Sequence, residues 1–240
     1  MIKITQLIKS VSLEISIQLL DIFFPKRCVC CRKFGAYLCF DCAKEIEYIK
    51  TDTCPECGKI SHGAKYCRNC RARAKTKLSS LIIAANYHCP PVKEMIHNLK
   101  YCGLTELSEH LGEILCQKLS SIDSKNYIIV PVPLYKKRQN SRGFNQSALI
   151  ARYTAQKLGL EYADCLKRLR DTKPQVELKR GERQKNVLDS FKCASSIVER
   201  RNVLLIDDVA TTGATLSECA KALKTAGAKK IIAAVVARNV

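Results

Sequence analysis

Nine of the fifteen cysteines lie between Cys28 and Cys70, and eight of them form four Cys-x-x-Cys pairs: Cys28/Cys31, Cys39/Cys42, Cys54/Cys57 and Cys67/Cys70. A two-residue spacer lets both sulfurs of a tight turn face one ion, and four thiolates at about 2.3 Å make a tetrahedral zinc site. Seven residues separate the first two pairs and nine the last two, enough for short hairpins turning at Gly35 and Gly63. The simplest assignment is two sequential zinc ribbons with four cysteine ligands each. Cross-bracing, with the first pair joining the third, is the alternative, as is a register that uses Cys30 for Cys31. His62 reads as a surface residue. Closed all-cysteine sites hold structure together and do not catalyse.

The second chemical signal lies in Val203-Leu204-Leu205-Ile206-Asp207-Asp208-Val209-Ala210-Thr211-Thr212-Gly213-Ala214-Thr215. Apolar residues that read as a buried strand end on two carboxylates. A turn of small and hydroxyl residues follows, then a helix with Leu216, Cys219, Ala220 and Leu223 on one face. Amides at a helix start suit a phosphate. The carboxylates suit vicinal sugar hydroxyls, or magnesium held through water. Acids for a diol and a turn for a phosphate together describe a ribose 5-phosphate site. A Walker loop is excluded, because no lysine follows the glycine.

These residues need a frame. Strands are expected at 81–87, 126–133, 202–209 and 230–237, with helices near 91–101, 105–119, 145–158 and 213–225. Strands alternating with helices predict an α/β domain on a parallel sheet, with ligands outside the carboxyl ends of the strands. Residues 71–80 read as a polar, basic linker. Upstream, Ile4, Ile8, Val11, Ile15, Leu19 and Ile22 form an apolar helical stripe. The expected organisation is an amphipathic helix (1–27), a double zinc ribbon (28–72) and the α/β domain (81–240). No run approaches 18 apolar residues, so no membrane span is expected. Lys9, Glu14 and Asp21 interrupt the first apolar stretch, which excludes a secretory signal. A cytoplasmic chain keeps its thiols reduced, which favours metal over disulfides. The formal net charge of +19 falls to about +15 with two zinc ions bound, and it favours anionic partners.

Segment 203–215 resembles the phosphoribosyl-pyrophosphate (PRPP) signature of type I phosphoribosyltransferases. The resemblance implies that Asp207 and Asp208 bind the ribose hydroxyls and that Ala210, Thr211, Thr212, Gly213, Ala214 and Thr215 wrap the 5-phosphate, with magnesium accompanying PRPP. Val130-Pro131-Val132-Pro133, followed by Lys136, Lys137, Arg138 and Arg142, sits where that fold places its pyrophosphate loop. The basic stretch 166–191 resembles the loop that closes over PRPP. An acid assists at the base two residues before the signature glycine in 6-oxopurine transferases, and Thr211 stands there.

The cysteine pairs joined to this domain, with Phe24-Pro25, Lys100-Tyr101 and Arg142-Gly143-Phe144-Asn145-Gln146, resemble the ComF family of competence proteins over essentially the whole chain. That resemblance implies a cytoplasmic role with single-stranded DNA in natural transformation. Three functions follow as expectations: a PRPP-fold protein that binds single-stranded DNA, a nucleotide-salvage phosphoribosyltransferase, or an adaptor that docks a DNA-translocating helicase.

Overall fold

Runs of branched and small apolar residues become the strands of a parallel sheet. The computed structural model describes residues 25–74, 76–120, 126–170 and 187–239. The stripe from Ile4 to Ile22 and residues 171–186 of the basic stretch lie outside them. The sheet contains β1 (Ser80–Asn86), β2 (Tyr127–Pro131), β3 (Glu161–Tyr162), β6 (Asn202–Ala210) and β7 (Lys230–Arg238), in the order β1-β7-β6-β2-β3. All four neighbouring pairs are parallel. Central strands β6 and β7 are buried almost throughout, which is why they read as continuous rather than alternating apolar runs. β4 (Leu166–Arg168) and β5 (Phe191–Cys193) form a separate antiparallel ribbon.

Two cores cover the two faces of the sheet. One gathers Met95, Leu99, Leu111, Leu115 and Ile150 from helices α3 (Pro90–Tyr101), α4 (Leu107–Leu119) and α6 (Gln146–Leu158) against Ile82, Ile129 and Ile206. The other packs Leu216, Cys219 and Leu223 of α7 (Ala214–Thr225) with Phe191 and Val198 against Val203, Leu205 and Val235. Alternate residues of one strand thus feed opposite cores, as strand geometry requires. α3 opens on Pro90-Pro91, where missing amide donors cost nothing. α6 is capped by Asn145, whose side chain accepts from the Ser147 amide.

The cysteine-rich segment is two copies of one device. Cys28 N–H donates to the Lys33 carbonyl (2.8 Å) and Cys54 N–H to that of Lys59 (2.7 Å). A residue with positive φ follows the second cysteine of the first and third knuckles, Arg32 at 64° and Gly58 at 72°. Cys39 and Cys67 then sit at the N-caps of α1 (Phe40–Lys44) and α2 (Arg68–Arg73). This module is built into the sheet's edge. The Asn86 amide donates to Glu47 O (2.9 Å), Ile49 N–H donates to Ala84 O (2.8 Å), and Tyr48 bridges Ala85 antiparallel. Edge strand β1 is thereby covered. Val29, Leu38 and Ile46 join the first core.

Two sequence expectations need correcting. Residues 71–80 are not a free linker: α2 runs to Arg73, β1 begins at Ser80, and Leu78 between them is 1% exposed. Arg71 Nη1 donates to the Leu78 carbonyl at 2.5 Å, tying the segment down. The basic run after β2 is not a loop either. Lys136–Arg142 is a helix, α5, ended by Gly143 at φ 86°. None of its residues is buried, so no apolar period announced it.

Candidate functional site

The two carboxylates stand near the carboxyl end of the central strand β6, Asp207 at 8% and Asp208 at 3% exposure. Burial of such groups demands partners. Ser147 Oγ donates to Asp207 Oδ1 at 2.6 Å, and the Asp208 amide donates to the same oxygen at 3.0 Å. Asp208 forms an ion pair with Lys100, from the last turn of α3. Asn145 fixes Ser147 in place, since its side chain also donates to Val132 O at 3.0 Å. The ends of β2, β6, α3 and α6 thus converge on one acidic pair.

The neighbours drive the two acids apart. Burial, together with the charge of Asp208, pushes the pKa of Asp207 up to about 7. Burial also works against Asp208, but the Lys100 ammonium overrides it and holds that carboxyl below the usual range. Lys100 gains in return: desolvation opposes its charge, and Asp208 more than compensates, raising its pKa. Arg142 is half-buried, donates to Gln146 Oε1 at 2.5 Å and lies 5.7 Å from the Tyr101 ring. Burial lowers its pKa while Asp208 counteracts.

Beyond the acids, Thr211, Thr212 and Gly213 turn the chain into α7. Gly213 takes φ 75° at the N-cap, a left-handed conformation that favours glycine. Thr212 Oγ1 accepts from the Ala214 amide at 3.4 Å. No acidic residue lies in the first turn of α7, so its positive end is not cancelled there. A cleft of about 730 Å³ adjoins this turn, lined by Thr212, Gly213 and Ser217 on one side and by Tyr66, Cys70 and Arg73 on the other. Arg238 spans the same junction, donating to Thr211 O (3.4 Å) and to Pro55 O in the third knuckle (2.8 Å).

The cysteines gather as Cys28, Cys31, Cys39 and Cys42, and as Cys54, Cys57, Cys67 and Cys70, with the sulfurs of each group within 4.8 Å of one another. A tetrahedron of sulfurs about 2.3 Å from zinc has edges near 3.8 Å. Cys31 and Cys39 are 3.5 Å apart, Cys57 and Cys67 3.8 Å, so the donor sets fit. Pairing is sequential, not cross-braced, and Cys31 rather than Cys30 completes its group. Burial, aided by neighbouring Cys28, pushes the Cys30 thiol up to about 12. Burial would raise Cys28 and Cys54 too, yet backbone N–H donors from Cys39 and Cys57 respectively lead the groups that bring both down to about 6. Each group thus contains a thiol ready to ionise.

Magnesium fares differently. A hard divalent ion wants charged oxygens open to it. Lys100 holds Asp208, and Ser147 Oγ and the Asp208 amide already donate to Asp207 Oδ1. The acidic pair as built does not fit a directly bound magnesium ion.

Of the residues expected at the site, Asp207, Asp208 and the turn 210–215 stand together at the end of β6 and the start of α7. Arg142 lies within the field of Asp208, whereas Lys136 and Lys137 stand exposed on α5. Ser147 was not singled out by the sequence, and Lys100 only as part of a resemblance. The available hint for Ser147 was a hydroxyl residue directly after the Arg142–Gln146 run, in the first turn of α6.

A double ribbon of cysteines on a sheet with this acidic turn defines a class, and family comparison agrees. Residues 19–71 match the double zinc ribbon domain and residues 145–240 the phosphoribosyl transferase domain. The chain belongs to the ComF family of competence proteins. It is 30% identical to competence protein F of Haemophilus influenzae, over 87% of this chain and 95% of that one. Competence protein ComFC of Streptococcus pneumoniae is 31% identical, with 83% and 87% covered. DNA utilization protein YhgH of Escherichia coli K12 is 29% identical, with 81% and 87% covered.

Proposed function

We propose that the chain binds a phosphoribosyl ligand at Asp207–Thr215 and binds single-stranded DNA in the cytoplasm during natural transformation, with zinc in both cysteine groups. One observation carries the reading: a buried acidic pair leads within a few residues to a glycine-capped helix start that has no acid in its first turn. The first feature suits sugar hydroxyls and the second a phosphate. The relatives named for competence and DNA utilization supply the DNA side. Among the described residues no helix is long and apolar enough to cross a membrane. Magnesium enters here only as the counter-ion of PRPP, held by the ligand's own diphosphate.

Calorimetric titration with PRPP tests the ligand, and salt-dependent binding of an oligonucleotide tests the DNA. Oligonucleotide affinity should fall steeply with salt as counterions return to the phosphates. A protein indifferent to both ligands would end the proposal. The phosphoribosyl transferase match favours a second reading, a salvage transferase. It predicts PRPP consumption with one member of a base panel. A third, an adaptor for a DNA-translocating helicase, is favoured by exposed Phe34, Phe40 and Ile60 on the ribbons.

A further inference from the structure

We propose that Lys100 is a built-in cation that takes the place of a divalent ion at the acidic pair, so that a phosphoribosyl compound binds there without metal. The inference rests on the site reading above and goes beyond it, because it assigns the charge of the site to a side chain from a different element. Lys100 comes from the last turn of α3, reaches the end of β6 and pairs with Asp208. Its side chain is 20% exposed and that of Asp208 5%, so the pair is shielded from water and salt.

The charge balance supports the assignment. Asp207 and Asp208 supply two carboxylates, and Lys100 and Arg142 set two cations against them. The empty site is therefore close to neutral before any metal arrives. Adding a divalent cation would set it against Lys100. An anionic sugar phosphate meets no uncompensated pair of carboxylates and needs no metal bridge to approach. An ammonium also carries three N–H donors. One serves Asp208, and the others have the chemistry to meet sugar hydroxyl oxygens, while an Asp207 oxygen can accept a hydrogen bond from a hydroxyl.

The test uses the full chain loaded with zinc. D-ribose 5-phosphate is the probe, because it has the diol and the phosphate but no diphosphate to import magnesium. Titrations are run in buffer scrubbed of metal, with and without added magnesium, after checking that zinc stays bound; a strong chelator is avoided because it would strip the ribbons. Wild-type affinity should agree within about threefold between the two buffers. Lys100→Met should bind about tenfold or more weakly without magnesium, with affinity recovered when magnesium is added. Lys100→Arg should stay independent of magnesium. As a second readout, manganese alone followed by paramagnetic resonance should bind Lys100→Met at this site and not the wild type.

Wild-type binding that vanishes without magnesium overturns the inference while leaving the site reading intact. Metal-free binding by Lys100→Met as tight as wild type overturns it as well. Should Lys100→Met not fold, the wild-type comparison between buffers and the manganese titration of the wild type decide, and manganese bound at this site in the wild type overturns the inference. No binding of ribose 5-phosphate in either buffer removes both the site reading and the inference.

Discussion

Asp207 and Asp208 are adjacent and almost equally buried, yet their amides should behave oppositely. Asp208→Asn removes the charge that Lys100 faces. Breaking a buried ion pair by removing one partner costs about 3–5 kcal/mol; the partial exposure of Lys100 reduces this to about 2–4 kcal/mol. For a chain of this size that lowers Tm by about 6–12 °C. Asp207→Asn, in contrast, keeps an acceptor oxygen for Ser147 and for the Asp208 amide, and it resembles the neutral form that burial favours. Its cost at neutral pH should be below about 1 kcal/mol.

The pH dependence separates them further. Asp208 has a depressed folded pKa, so its contribution is present above the ordinary carboxylate range and lost as pH falls through the folded value. The gap between wild type and Asp208→Asn should therefore close in acid. Asp207 has a raised pKa of about 7, so its protonated form favours folding at low pH, and that advantage is lost as pH rises from the ordinary value through about 7. Asp207→Asn should gain on wild type as pH rises from the ordinary carboxylate range to about 7, and the difference should level off above that. Scanning calorimetry of both variants across pH, with the Asp208→Asn/Lys100→Met double mutant, measures this. Coupling of about 1–3 kcal/mol is expected between Asp208 and Lys100. Equal destabilisation by the two amides at neutral pH would refute the division of roles.

Other perturbations follow from the same structure. Native mass spectrometry should count two zinc ions per chain, and Cys31→Ser or Cys57→Ser should each weaken one site, since each group has four ligands. Gly112→Ala should destabilise by about 1–3 kcal/mol, although alanine favours a helix, because its Cβ would lie 2.4 Å from Tyr153 Cδ1; urea unfolding reads this directly. Ser147→Ala leaves Asp207 without its hydroxyl donor and should raise that acid's pKa further, visible by carboxyl NMR as a titration shifted upward.

How much of this could be read from the chain depended on range. β1, β2, β6, β7 and four helices were legible because a buried strand or an amphipathic helix writes its environment into a local apolar pattern. The ribbons were legible because a zinc knuckle needs its two sulfurs three positions apart. Helix α5 was not, as its residues face solvent and only Gly143 marks its end. Leu78 was lost among basic neighbours, although burial of that one side chain fixes the segment. The Lys100–Asp208 pair joins residues more than a hundred positions apart, and no local spacing encodes it. The acids could be found from sequence, but the cation that sets their charge could not.

The central proposal is that Asp207–Thr215 holds a phosphoribosyl ligand. Its most direct test is calorimetric titration of PRPP with magnesium into the zinc-loaded chain, wild type beside Asp208→Asn held well below its lowered Tm. Wild type is predicted to bind PRPP saturably at one site, and Asp208→Asn to lose that binding while keeping both zinc ions. PRPP affinity left intact in Asp208→Asn, or absent from wild type, would contradict the site.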